Sequence, residues 1–240
     1  MLEDNSSDWL LIEKELAGDT HSIERRSPGV IEMTTIEGEN QMSIGIIGAG
    51  NIGAAFARAL ARAGIHATIS NSRGPEALAA LVAELQPFVT AATVEEAAKA
   101  DIVLVAVPWS KLPLALSGLP DWNGRTVIDA NNPIEAPLFK PAALNGRLSS
   151  EIFSDLVPGA RVVKAFNHLQ PHLLSGNPAA EGGKRVLFYS GDDADAKVEI
   201  GALIAKLGFF GIDLGLLAIG GSLTQFPGGP LPVFNLVKFG

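Results

Sequence analysis

Ser43-Ile44-Gly45-Ile46-Ile47-Gly48-Ala49-Gly50-Asn51-Ile52-Gly53 is the stretch on which the fold turns. Ser43 to Gly48 is a short apolar run that ends in glycines, the pattern of a buried strand. Asn51 to Ala63 then sets Ile52, Phe56, Ala59, Leu60 and Ala63 on one helical face, with Arg58 and Arg62 off it, until Gly64 closes the helix. In the turn between them Gly48 permits a tight bend, Gly50 lets a ligand approach the backbone, and Gly53 lets helix and strand pack closely. The helix N-terminus presents free N–H groups and a partial positive charge, so Gly48, Ala49, Gly50, Asn51, Ile52 and Gly53 suit a pyrophosphate. The same spacing also describes an ordinary tight strand-to-helix turn. Its position between a strand and a helix near the start of the folded region favours a dinucleotide.

Outward from this turn, strands and helices alternate. His66 to Ser70, Phe88 to Ala91, Asp101 to Pro108, Arg125 to Ala130 and Arg161 to Phe166 read as further strands. Pro75 to Leu85, Val94 to Ala100 and Ser149 to Leu156 read as the helices between them. The alternation continues through a strand at Arg185 to Ser190, a helix at Asp193 to Leu207 and a strand at Phe209 to Asp213. This predicts an α/β fold: a doubly wound, mostly parallel Rossmann-type sheet of about eight strands, with a C-terminal extension from about residue 168. The glycine- and proline-rich tail leaves room for a short helix at Leu231 to Phe239.

The end of the second strand selects the cofactor. A domain that prefers NAD places Asp or Glu there, about 20 residues past the turn, to bind the ribose 2′-hydroxyl. This chain has Asn71, Ser72 and Arg73 instead. A hydroxyl and a guanidinium suit a 2′-phosphate, which points to NADP(H). The competing account of Arg73 is an ordinary exposed loop arginine.

Composition narrows the function classes. Of the 240 residues, 47% are apolar, enough for one well-buried α/β domain. No apolar run reaches the roughly 20 residues of a spanning helix, no secretory signal is readable, and there are 0 cysteines, so the expectation is a cytoplasmic protein with no membrane partner. Residues 1–41 hold ten acids and three bases, against sixteen and fifteen in the remainder, so the net charge of −8 belongs mainly to the leader. The nearly neutral body has no basic footprint for nucleic acid. The leader reads as disordered, and Met42, directly before the first strand, raises the alternative that translation starts there.

Several segments together resemble the NADP-dependent oxidoreductases of the deazaflavin coenzyme F420. They are the turn Gly48 to Gly53, Asn71-Ser72-Arg73, Ala106-Val107-Pro108-Trp109, Asn132-Pro133, Val162 to Asn167, Gly191-Asp192-Asp193, Asp213-Leu214-Gly215 and Gly228-Gly229-Pro230. The stretch Lys164 to Asn167 and Asp213-Leu214-Gly215 is also similar to the reductase domain of the six-transmembrane ferric reductases, and the amino-terminal half is distantly similar to pyrroline-5-carboxylate reductase. The resemblance implies that Val107 and Pro108 border the nicotinamide. It also implies that the end of the sixth strand, Ala165-Phe166-Asn167-His168, faces a deazaflavin or flavin second substrate. Both segments leave carboxyl ends of parallel strands, where open α/β sheets bind ligands.

Few residues offer acid-base chemistry, and direct hydride transfer needs positioning more than proton relays. His168 and Asn167 are the candidates near the acceptor; a partly buried or capping histidine is an equal account of His168. His172, four residues on, would share a helical face with His168, but no third ligand joins them and no metal is expected. Trp109 is expected to pack under its loop, and Asp192, Asp193 and Asp195 to begin a helix. The expected function is hydride transfer between NADP(H) and a flavin-like or deazaflavin acceptor. The alternatives are a non-catalytic NADPH-binding sensor and a reductase of a small carbonyl or imine. The apolar tail residues Leu231, Val233, Phe234, Leu236 and Val237 are expected to fold back or meet a second copy in a homodimer.

Overall fold

Each apolar run flanked by glycines becomes a strand, and the order in which the strands assemble places the ligand face. The computed structural model describes residues 42–135, 138–179 and 182–240. The expected acidic leader, residues 1–41, lies outside the described residues.

The chain runs β1 (Ile44–Ile47), α1 (Asn51–Arg62), β2 (Ala67–Ser70), α2 (Ala79–Leu85), β3 (Val89–Ala91), α3 (Val94–Ala97) and β4 (Ile102–Val105). It continues with α4 (Leu112–Leu116), β5 (Thr126–Asp129), a hairpin of β6 (Ile134–Glu135) and β7 (Lys140–Pro141), α5 (Ser149–Leu156) and β8 (Arg161–Ala165). Last come α6 (Pro171–Ser175), β9 (Lys184–Gly191), α7 (Ala194–Lys206), β10 (Phe210–Asp213), α8 (Ser222–Thr224) and β11 (Val237–Lys238). Short 3-10 turns at Pro75–Leu78 and Trp109–Lys111 lead into α2 and α4.

The main sheet has the order β10-β9-β8-β5-β4-β1-β2-β3, with β11 added to β9. This is the mostly parallel, Rossmann-like arrangement expected. The winding reverses between β1 and β4, which pair in parallel with Ile46 opposite Leu104, and such a switch point opens a crevice at the strand carboxyl ends. Successive side chains of a strand face opposite layers. Ile44, Ile46, Leu104, Ile128 and Val163 pack toward Phe56, Leu60, Ile200 and Ile204. Ile47, Val103, Val105, Val127 and Val162 pack toward Leu112, Leu116 and Phe153.

One expectation, a helix in the tail, is corrected, and one strand pair breaks the otherwise parallel order: β9 runs antiparallel to β8, with Lys164 opposite Ser190. Among its described residues the connection between them holds one α-helix, the five-residue α6, and the chain re-enters the sheet at the end where it left. The tail forms no helix at Leu231 to Phe239. Val237 and Lys238 instead pair with Arg185 and Lys184, the part of β9 that β8 does not reach. Pro232 and the left-handed Val233 (φ 62°) prevent a helix, and the free stretch of β9 offers the backbone a partner.

Gly45 shows how closely the layers approach. A Cβ there would stand 2.0 Å from the carbonyl oxygen of Ala97 in α3, so α3 rests directly on the backbone of β1. Gly45→Ala forces the helix away or strains the strand, and is expected to cost about 1–3 kcal/mol, read as a drop in Tm of roughly 3–10 °C. An unchanged Tm would show that α3 moves freely on the sheet.

Candidate functional site

At the switch point β1 ends at Ile47, the chain bends through Gly48 (φ 105°), and α1 begins. A Cβ on Gly48 would lie 2.2 Å from the carbonyl oxygen of Ala106, and one on Gly53 would lie 1.9 Å from that of Gly48. The turn is therefore pressed both against the end of β4 and under its own helix, and neither glycine tolerates a side chain. Gly50 differs, because a Cβ there would meet nothing within 4 Å. It is the N-cap of α1, no side chain caps that helix, and no acidic residue stands in its first turn.

A cleft of about 1130 Å³ opens over this helix end. Its walls include Gly48, Ala49 and Gly50 from the turn, Asn71, Ser72 and Arg73 from the end of β2, and Val107 and Pro108 from the end of β4. Eight of the residues singled out in the sequence are thus brought together. Asn71 Oδ1 accepts the backbone N–H of Arg73 (2.8 Å), which bends the chain after β2 so that Ser72 and Arg73 stand exposed at the rim. The buried Asn71 Nδ2 has no partner. An uncapped helix N-terminus, open space at Gly50 and an unused amide donor beside a cationic rim all fit a phosphate-bearing dinucleotide.

The remaining expected residues do not line this cleft. Asn51 and Ile52 lie in the first turn of α1, and Gly53 is buried beneath it. Ala165 is buried at the end of β8. Asn167 faces the tail: its Nδ2 donates to the carbonyl of Thr224 (2.7 Å) and to Asn132 Oδ1 (3.1 Å). His168 is 2% exposed, with its ring against Phe188 (5.1 Å between centroids). It precedes α6, whereas His172 lies within that helix and is exposed, so the two do not share a helical face. Among the described residues no three metal-ligating side chains form a group.

Some lining residues escaped the sequence reading. Lys111, Leu114, Ala115, Ser117, Gly118 and Leu119 also line the cleft, as do Val94 and Glu95. α4 carries Pro113 in its first turn, which was the available signal. Trp109 packs partly buried against the layer that holds Phe153 and Leu116, as expected of it.

Behind Val107 lies a polar cluster that nothing in the linear spacing announced. Lys164 Nζ donates to Asp129 Oδ2 (2.8 Å) and to the carbonyl of Asn131 (2.9 Å), and both charged side chains are wholly buried. Asp129 Oδ1 accepts the backbone N–H (3.0 Å) and Nδ2 (2.9 Å) of Asn131. Asn131 Nδ2 also donates to the carbonyl of Val105 (3.1 Å), and its Oδ1 accepts the N–H of Val107 (3.0 Å).

Comparison with known proteins places this geometry. The family described as "NADP oxidoreductase coenzyme F420-dependent" matches residues 43–133. A hypothetical protein from Sinorhizobium meliloti is 46% identical in a solved structure (TM-score 0.78), covering 82% of this chain and 96% of that one. A putative F420-dependent NADP-reductase from Arthrobacter is 30% identical (TM-score 0.63), covering 74% and 86%. The rat metalloreductase STEAP3 is 27% identical over 80% of this chain. The chain spans about two-fifths of the length of such curated relatives. No described helix is long and apolar enough to cross a membrane.

Burial pushes the His168 imidazole down to about 4, against a weaker opposing pull from the backbone of Val186. The unfolded chain, titrating near 6.5, therefore binds a proton that the folded protein rejects. The contribution of His168 to stability is then expected to be complete above about pH 6.5 and to fall toward pH 4 by about 1.4 kcal/mol per pH unit, roughly 3 kcal/mol in all. His168→Phe should keep the ring contact with Phe188 and flatten the fall in urea midpoint between pH 6.5 and 4.5. An equally steep fall in the variant would assign the acid sensitivity elsewhere.

Proposed function

The chain belongs to the family of coenzyme F420-dependent NADP oxidoreductases, and from that premise we propose that it passes a hydride between NADP(H) and a flavin-like or deazaflavin acceptor. The observation that carries this reading is the composition of one cleft. The glycine turn and the acid-free end of β2, with Ser72 and Arg73, line the same cleft, matching a pyrophosphate and a 2′-phosphate on one molecule. Val107 and Pro108 would then border the nicotinamide, with Lys111 beyond them.

The choice of acceptor rests on what the chemistry needs. Reduction of a carbonyl or imine calls for a proton donor beside the reacting carbon, whereas ring-to-ring hydride transfer asks for alignment and exclusion of water. Among the described residues the ionisable side chains that line the cleft are Arg73, Glu95 and Lys111, and Lys111, after Pro108, is the group that an imine or carbonyl reductase would have to use. His168, with its basicity lowered by burial and its ring away from the cleft, is a poor proton donor. On this reading the acceptor lies toward the ends of β5 and β8. There Asn132 Oδ1 accepts from Asn167 Nδ2 and from the N–H of Phe226 (3.0 Å), which draws the Gly228-Gly229-Pro230 loop over the strand ends.

The purified protein mixed with NADPH should lose absorbance at the nicotinamide band with the deazaflavin coenzyme or with FMN, faster than with a cyclic imine. Oxidation with the imine alone would transfer the assignment to an imine reductase. Binding of NADPH with no turnover by any of them would leave a sensor. Arg73→Ala should weaken NADPH by about 10- to 100-fold, the value of one charge-assisted phosphate contact, and leave NADH nearly unchanged. Equal weakening of both would remove Arg73 from the 2′-phosphate.

A further inference from the structure

The amide of Asn131 occupies a place that a sheet normally gives to backbone. In a parallel ladder one residue donates to the carbonyl of its neighbour's preceding residue and accepts from the N–H of the following one. Asn131 Nδ2 donates to the carbonyl of Val105 and Asn131 Oδ1 accepts from the N–H of Val107. The side chain thus adds a rung to β4 beyond the last backbone pairing with β5, where the N–H of Ala130 meets the carbonyl of Val105 (3.2 Å). On the other side the N–H of Ala106 donates to the carbonyl of Ile47 (2.8 Å). Ala106 and Val107 are held from both sides, and Pro108 follows with no N–H to satisfy.

The amide can face only one way. A carboxylate accepts and does not donate, so Asp129 Oδ1 takes the NH2 end of Asn131 and leaves its oxygen for Val107. Lys164, a pure donor, holds Asp129 Oδ2 and the Asn131 carbonyl together. From these contacts we infer that Asn131, oriented by the buried Asp129–Lys164 pair, is a positioning residue for hydride transfer, fixing the Ala106–Pro108 strap as the wall that aligns the nicotinamide. It acts through Val107 and lies outside the cleft lining. The inference rests on the reading of this cleft as an NADP(H) site, and its test separates the two.

Asn131→Ala removes all three side-chain bonds, and Asn131→Asp keeps the shape and an acceptor for Val107 while losing the side-chain donor to Val105 and Asp129. In cofactor-free protein, amide exchange at Val107 should accelerate by about 10-fold or more in Asn131→Ala while the strands of the core keep their protection. With NADPH, affinity measured by nicotinamide fluorescence should stay within about 3-fold, because most contacts lie at the turn and at β2. Single-turnover transfer from 4-deuterated and ordinary NADPH to FMN should slow by about 100-fold, the scale set by a misplacement near 1 Å. Asn131→Asp should fall between. Unchanged exchange at Val107 in both variants would overturn the inference, as would faster exchange with an unchanged transfer step. Should the wild type transfer hydride to no acceptor, the functional reading falls. Exchange at Val107 and the lifetime of bound-nicotinamide fluorescence then decide whether Asn131 aligns the bound nicotinamide through the strap: both altered supports that positioning, and either unaltered overturns it.

Discussion

The buried pair of Asp129 and Lys164 is the constraint around which the ligand face is organised. Two charges removed from water are costly, and their attraction offsets the cost only when the remaining donors and acceptors are also satisfied. Asp129 meets this demand with Lys164 on one oxygen and two N–H groups of Asn131 on the other. Loss of either charged partner would leave the other unpaired in an apolar layer, a penalty of about 3–5 kcal/mol. The pair therefore fixes the spacing of β5 and β8 and leaves the Asn131 amide one orientation. Through that amide it shapes the chain after β4.

A second polar network carries the same logic to the tail. Asn132 Nδ2 donates to the carbonyl of Asn167 (2.7 Å), and Asn167 Nδ2 donates back to Asn132 Oδ1. The same Asn132 oxygen receives the N–H of Phe226, and Asn167 reaches the carbonyl of Thr224. Two adjacent asparagines thus divide the work: Asn131 holds the strap beside the cleft, and Asn132 holds the loop that crosses the ends of β5 and β8. Backbone leaving a parallel sheet has lost its ladder partners, and side-chain amides are suited to replace them because each carries both a donor and an acceptor.

The sequence made the local elements readable wherever periodicity and punctuation agreed. The helix Ser149 to Leu156 has the observed bounds, and the clustering of the glycine turn, Asn71 to Arg73, Val107 and Pro108 at one cleft follows the rule for strand carboxyl ends. Where the partner was distant, local signals misled. Leu231 to Phe239 has apolar content suited to a short helix, yet its last residues satisfy a strand some fifty positions earlier. His168 and His172 have helical spacing, but one precedes Pro171 and is drawn under Phe188 while the other stays in α6. Lys164 stood in plain view within an apolar strand, and the acid that explains it lies 35 residues away.

What the sequence determined by itself is what depends on neighbours a few residues apart: a strand, a glycine bend and a helix end that cannot carry side chains at Gly48 and Gly53, and a second strand that ends without an acid. Steric exclusion and the charge of nearby groups act over that range, so residue type and spacing suffice to read them. The tertiary structure alone decided the direction of β9, the strand made by Val237 and Lys238, the burial of His168 and the pairing of Asp129 with Lys164. Each of these is set by which backbone or charged group remains unsatisfied once the sheet has assembled, and that is a property of the whole fold.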